Sequence, residues 1–177
     1  TVRATAIENR GGRVILSADA NPIRLGYDSG ASITNDPVSS PRWLELEAAT
    51  LEVRGGGSVI IEGYTDSRGN DYQTKIQVGQ GRIEAAEVVS VQSNTLLDGG
   101  QLTLKAGGDV HLRGDATVDV DHLTAEAGVD VWVEETVHLL NGNATLAAGR
   151  DINLVDSPTV HLNRLAISAG RHALIDV

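Results

Sequence analysis

The chain of 177 residues contains no cysteine, no methionine and no phenylalanine, and only four prolines. Lack of cysteine excludes a disulfide framework and thiolate chemistry, and is compatible with a protein exported as an unfolded chain. Aromatic residues make up 3%, so any core must be aliphatic. Basic side chains are the scarcer sign, 14 against 24 acidic, for a formal net charge of −10. That field disfavours nucleic acid and anionic membrane surfaces as partners. No apolar run approaches the ~20 residues of a membrane-spanning helix, and no signal peptide is visible.

What the sequence does have is a period. Gly107, Gly128, Gly149 and Gly170 lie 21 residues apart, within LTLKAGGDVHL (102–112), LTAEAGVDVWV (123–133), ATLAAGRDINL (144–154) and LAISAGRHALI (165–175). Apolar residues fall at every second position, as in Leu102, Leu104 and Ala106, which is strand periodicity. A fixed period of this length marks a solenoid whose repeats bury their apolar faces only by stacking. The Ala-Gly pair reads as a corner where glycine supplies positive φ. A third short β segment at Thr117–Val120, Thr136–Leu139 and Thr159–Leu162 completes a three-sided coil.

Stacking at this period predicts inward columns, among them Leu104, Ala125, Leu146 and Ile167; Ala106, Ala127, Ala148 and Ala169; and Val110, Val131, Ile152 and Ala173. The period extends backwards less regularly, with 83–91, 51–61 and 7–16 read as earlier copies. Residues 1–177 read as one β-helix segment of a longer chain, with regular coils over 83–177. Residues 17–43 and 62–81 carry three of the four prolines and read as insertions or irregular coils. The apparent lack of a polar cap after the last coil supports the longer-chain reading. A leucine-rich repeat would require a helical return and an Asn or Cys column, and a sandwich gives no reason for constant spacing. The fold class is all-β, a parallel β-helix.

The units 102–112 and 144–154 resemble the haemagglutinin repeats of filamentous-haemagglutinin-type exoproteins, large bacterial surface adhesins built as right-handed parallel β-helices. The resemblance covers residues 83–177 well and the first half loosely. It implies a non-enzymatic extended rod, secreted or at the cell surface. It says little about a ligand; the expected partners are further coils of the same or a neighbouring chain and, from the composition of the first half, a host or cell-surface glycan or protein.

Candidate sites divide into four groups. Tyr27, Trp43, Tyr64, Asp66, Arg68 and Tyr72 concentrate aromatic, acidic and basic groups in the first half, in the manner of a recognition loop; the competing reading has the rings sealing the flank of the solenoid. Asp109, Asp130 and Asp151 form an outward column, read either as a calcium ladder or as carboxylates accepting corner N–H groups. Thr103, Thr124 and Thr145 form a second outward column, read either as a threonine-ranked ice-binding face or as ordinary exposed strand residues. Asp119 and Asp121, with His122 and Arg113 nearby in sequence, are the strongest candidates for an alternative activity on polysaccharides. Ahead of that enzyme reading, the first alternative to a shaft is a filament subunit, whose open coil ends pair with copies of itself.

Overall fold

The computed structural model describes the backbone of residues 2–3, 6–10, 12–19, 22–26, 43–65 and 68–176, and side chains from residue 12 onward except those of Trp43 and Leu44. In chain order the strands are β1 (Val2–Arg3), β2 (Ala6–Arg10), β3 (Arg13–Ala18), β4 (Ile23–Gly26), β5 (Trp43–Gly55), β6 (Val59–Glu62), β7 (Tyr64–Thr65), β8 (Asp71–Ala85) and β9 (Val89–Val91). They continue as β10 (Thr95–Ala106), β11 (Val110–Leu112), β12 (Thr117–Ala127), β13 (Val131–Glu134), β14 (His138–Ala148), β15 (Asp151–Val155), β16 (Thr159–His161), β17 (Arg164–Ala169) and β18 (His172–Ile175). No helix occurs among the described residues. The short strands stack in the order β1-β4-β6-β9-β11-β13-β15-β18, and the long ones in the order β16-β14-β12-β10-β8-β5-β3-β2, with β17 also on β14. From β3 onward neighbouring coils pair in parallel. The protein is a parallel β-solenoid with about 21 residues per turn in its regular part.

The inward columns stand in the register that the period predicts. Leu16, Val53, Ile83, Leu104, Ala125 and Leu146 are successive Cα partners, and none is more than 1% exposed. Each Leu or Ile fully removed from water contributes about 1.5–3 kcal/mol. No coil can obtain that alone, because its core residues are covered only by the coils above and below.

The expected third segment does not stand apart in most coils. In β12 it runs directly into the next side, giving one strand from Thr117 to Ala127. Burial alternates along this strand except at Asp121 and His122, where two successive residues are exposed. That one-residue shift, repeated at Gly79 and Gln80 of β8, lets the chain turn while both halves keep their apolar side chains inward. Only the coil of residues 159–175 splits the strand, into β16 and β17.

The corner glycines are not where the backbone enters the left-handed region. Positive φ occurs instead at the opposite corner, at Asn94, Gly114, Glu135, Asp156 and Ser157, and at the bend of the long strands, at Gly99 and Asn141. The Ala-Gly corner needs glycine for proximity: a Cβ on Gly128 would stand 2.1 Å from the carbonyl oxygen of Gly107, and one on Gly149 2.2 Å from that of Gly128. Backbone bonds lock this corner from coil to coil, Gly128 N–H to Ala106 O at 3.0 Å and Gly149 N–H to Ala127 O at 3.0 Å. Ala86 is the member of the column that carries a methyl, and its coil lies over the triple glycine Gly55–Gly57, with Ala86 N–H bonded to Gly55 O.

Residues 7–16 are not an earlier repeat. They lie in an antiparallel hairpin, β2 on β3 with Arg10 opposite Arg13, and Gly12 at its turn has φ +81°. An alternating sequence with a central Gly-Gly suits a hairpin as well as a corner, so pattern alone does not separate them. The first coil is instead formed by β3 and β4, and β1 lies antiparallel on β4. Antiparallel strands therefore occupy this edge of both sheets.

Of the expected insertions, residues 23–26 form a coil strand and 71–81 belong to β8, which pairs with β5 on one side and β10 on the other. The excursion within 62–81 narrows to a small hairpin, with Tyr64 opposite Tyr72 and Thr65 opposite Asp71. Residues 27–42, in the other insertion, lie outside the described residues.

Candidate functional site

The hairpin between β6 and β8 is the feature that most departs from the plain solenoid. Tyr72 is 6% exposed and Tyr64 stacks on it with ring centroids 5.9 Å apart. Thr65 Oγ1 donates to Asp71 Oδ1 at 2.8 Å, and Asn94 Nδ2 of the next coil donates to Thr65 Oγ1 at 2.8 Å. Asn94 N–H in turn donates to Asp115 Oδ1 at 2.6 Å. The hairpin is thus tied to two further coils through a continuous polar chain. Its tyrosines pack against one another, and Tyr72 is withdrawn from any ligand. Arg68 is exposed at the tip. Trp43 lies at the start of β5, opposite Gln73, while Tyr27 and Asp66 fall outside the described residues.

The aspartate column is a ladder of hydrogen bonds. Asp109 Oδ1 accepts Asp130 N–H at 3.0 Å, Asp130 Oδ1 accepts Asp151 N–H at 3.0 Å, and Asp151 Oδ1 accepts His172 N–H at 3.2 Å. Each carboxylate thereby fixes the backbone of the next coil. Repulsion along the column is offset by arginines that follow the corner glycines: Arg150 forks onto Asp130, with Nε at 2.9 Å, and Arg171 forks onto Asp151, with Nε at 3.0 Å. Arg150 and the Asp151 N–H hold the Asp130 carboxyl below its ordinary range. Arg171 and His172 hold that of Asp151 down to about 2. The oxygens a calcium ion would need are directed to guanidinium and N–H groups, and among the described residues no group of three His, Cys, Asp or Glu is placed to hold a metal. The arginines escaped the sequence reading. Their signal is legible in hindsight as Gly-Arg-Asp and Gly-Arg-His at 149–151 and 170–172.

On the same outer face Trp132 stacks on His111 at 6.3 Å with planes 8° apart. His111 has Asp109 Oδ2 at 3.9 Å and Glu134 Oε2 at 3.8 Å. These too become neighbours only through the winding.

Comparison with known proteins gives no match. No family model, no curated protein and no solved structure matches the chain. What the chain does must therefore be argued from its own geometry.

The polysaccharide-active candidates are spread over the two sheets. Asp119 accepts a hydrogen bond from Asn141 Nδ2 at 2.7 Å, Asp121 is exposed at the bend of β12, and His122 Nδ1 lies 3.4 Å from Asn143 Nδ2. Arg113 follows β11 in the other sheet and forms no ion pair with them. The Thr103, Thr124 and Thr145 row exists in register, but its neighbour is the charged row Arg54, Glu84, Lys105 and Glu126, with Lys105 Nζ 3.0 Å from Glu126 Oε2.

Proposed function

We propose that the chain is a structural shaft: a stiff β-solenoid segment of a large exported surface protein, an adhesin in the filamentous-haemagglutinin manner, that holds recognition elements at its flank. The observation that carries this is the aliphatic ladder. The inward positions from Ile83 to Leu154 are filled by Ala, Val, Leu and Ile side chains, with the buried Thr95 among them, and the more varied residues are on the outside. The hairpin at 63–70, anchored to the coils above it, is the recognition element best placed to meet a surface glycan or protein, with Arg68 at its tip.

The test uses the full chain and a variant in which 66–70 is replaced by a short glycine-serine turn, both screened against a glycan array and against surface-protein pull-downs. Binding by the parent that is lost in the variant, with unchanged thermal unfolding, supports the reading. Binding that survives the replacement removes the hairpin from it. Elongation is checked separately by small-angle scattering, where a profile fitted by a compact globule overturns the shaft itself.

Self-association is a second reading, favoured by one observation. The coil of 159–175 leaves Leu174 55% and Ile175 51% exposed, and its outer strand edges have no partner among the described residues. The opposite edge carries the antiparallel strands β1 and β2, so the two edges are not interchangeable. Copies that meet through the 159–175 coil close as a two-fold dimer, whereas a head-to-tail filament requires complementary ends. Sedimentation of the chain across a concentration series distinguishes them: a limiting dimer supports two-fold pairing, growing polymers the filament, and a monomer at all concentrations neither.

A further inference from the structure

The outer face of the long sheet changes character towards its last coils. Its flat part is covered by the charged row from Arg54 to Glu126, but the next members of that row are Ala147 and Ser168, and Ala166 follows Thr145 in the adjacent row. Shrinking side chains leave a cleft lined by His122, Asn143, Ala144, Thr145, Arg164 and Ala166. His122, Asn143 and Arg164 are register partners at the bend, spaced one coil apart, or roughly 4.8 Å. Every polar side chain in this lining carries a hydrogen-bond donor, and none is a carboxylate.

Arg164 is the charged member of the lining. In a chain with 24 acidic residues against 14 basic, the arginines Arg13, Arg24, Arg54, Arg82, Arg150 and Arg171 each meet a carboxylate. Arg164, like the exposed Arg113, meets none among the described residues, and it stands in the cleft, with a guanidinium built to grip a carboxylate in bidentate fashion. The cleft has no aromatic or long aliphatic wall that would hold an apolar peptide side chain. Its imidazole, amide and hydroxyl suit a ring bearing hydroxyl groups, and the net charge of −10 repels polyanions at long range.

We propose that this cleft binds a saccharide carrying a single carboxylate, with Arg164 on the carboxylate and His122, Asn143 and Thr145 on the ring hydroxyls. The site is separate from the hairpin at 63–70 and stands or falls without it.

The test is titration of the full chain, by calorimetry and by amide chemical shifts, with an oligosaccharide bearing one glucuronate, its neutral glucose counterpart, acetate and an acidic peptide. The glucuronate compound is expected to bind at least about tenfold more tightly than its neutral counterpart, since one charged hydrogen-bonded contact is worth roughly that factor, and more tightly than acetate or the peptide, which lack the ring hydroxyls that His122, Asn143 and Thr145 would meet. Shifts should centre on β12, β14 and β17. Arg164→Ala should cost about tenfold or more with unchanged circular dichroism, Arg164→Lys less, and Arg113→Ala, at an exposed arginine of the other sheet, nothing. Acetate or the peptide binding as well as the saccharide, the neutral sugar binding equally, no saturable binding at all, or indifference to Arg164→Ala each overturns the proposal. A folding defect in Arg164→Ala is met by Thr145→Ala, which must then show the loss.

Discussion

At the scale of the residue, two kinds of glycine and one carboxylate column carry the argument. Gly128 is required because its Cβ would collide with the carbonyl of Gly107, and this predicts that Gly128→Ala destabilises the fold by about 2–4 kcal/mol, the range for overpacking and lost hydrogen bonds together. Glu135 gives the opposite case. It holds φ +60° on an exposed corner where Gly114 holds the same place one coil earlier, so Glu135→Gly should raise stability by up to about 1 kcal/mol. Denaturant unfolding of the two variants measures both signs. The aspartates predict the response to acid. Asp130 and Asp151 have folded values below the ordinary 3.8, so the folded state binds their protons more weakly than the unfolded state does. Their stabilisation is complete well above pH 4 and is lost as the pH falls from there towards about 2, the value for Asp151. Acid titration by circular dichroism should show that loss, and Asp130→Asn with Asp151→Asn should start less stable at pH 7 and lose less on acidification.

At the scale of the element, the coil is the unit and the inward column its currency of stability. Leu146 is 0% exposed between Ala125 below and Ile167 above, and Leu146→Ala should cost about 2–5 kcal/mol. Leu174, in the register row of Asn153 and 55% exposed, should tolerate the same change within about 0.5 kcal/mol. Chemical denaturation of the pair tests the assignment of inside and outside. Strand composition made this face choice readable: alternation in LTLKA and ATLAA fixes which side chains go in. The bend has a signal that the alternation hides: Gly79, Gly100 and Gly142 recur in step with Asp121 at 21-residue spacing, but only the burial pattern shows the shift of one residue there. The hairpin of β2 and β3 was misread for a related reason. A Gly-Gly between alternating strands is compatible with a parallel corner and with an antiparallel turn, and only pairing partners distinguish the two.

At the scale of the whole molecule, the stack has unlike edges and unlike faces. One edge is covered by antiparallel strands and the other exposes Leu174 and Ile175. One outer face carries the charged row ending at Glu126 and then the cleft at Arg164, while the other carries the Asp-Arg ladder with the stacked His111 and Trp132. Unfolding should reflect the one-dimensional contact pattern: each coil touches only its neighbours, so truncating the core at Leu104 should destabilise the adjacent coils more than distant ones. Hydrogen exchange of Leu104→Ala should show protection lost first around β8, β10 and β12, and a uniform loss over all coils would contradict this.

The amino-acid order by itself determined the period, the strand character, the inward columns and the corner ladder of aspartates, because a residue's successor one turn later is fixed by counting once the period is constant. It did not determine how Arg150 reaches Asp130, how Tyr72 turns inward against Tyr64, or how His122, Asn143 and Arg164 come to share a cleft. Those depend on backbone direction at corners and bends, where a few degrees of φ or one extra outward residue redirects a side chain, and that is decided by packing and hydrogen bonding between coils.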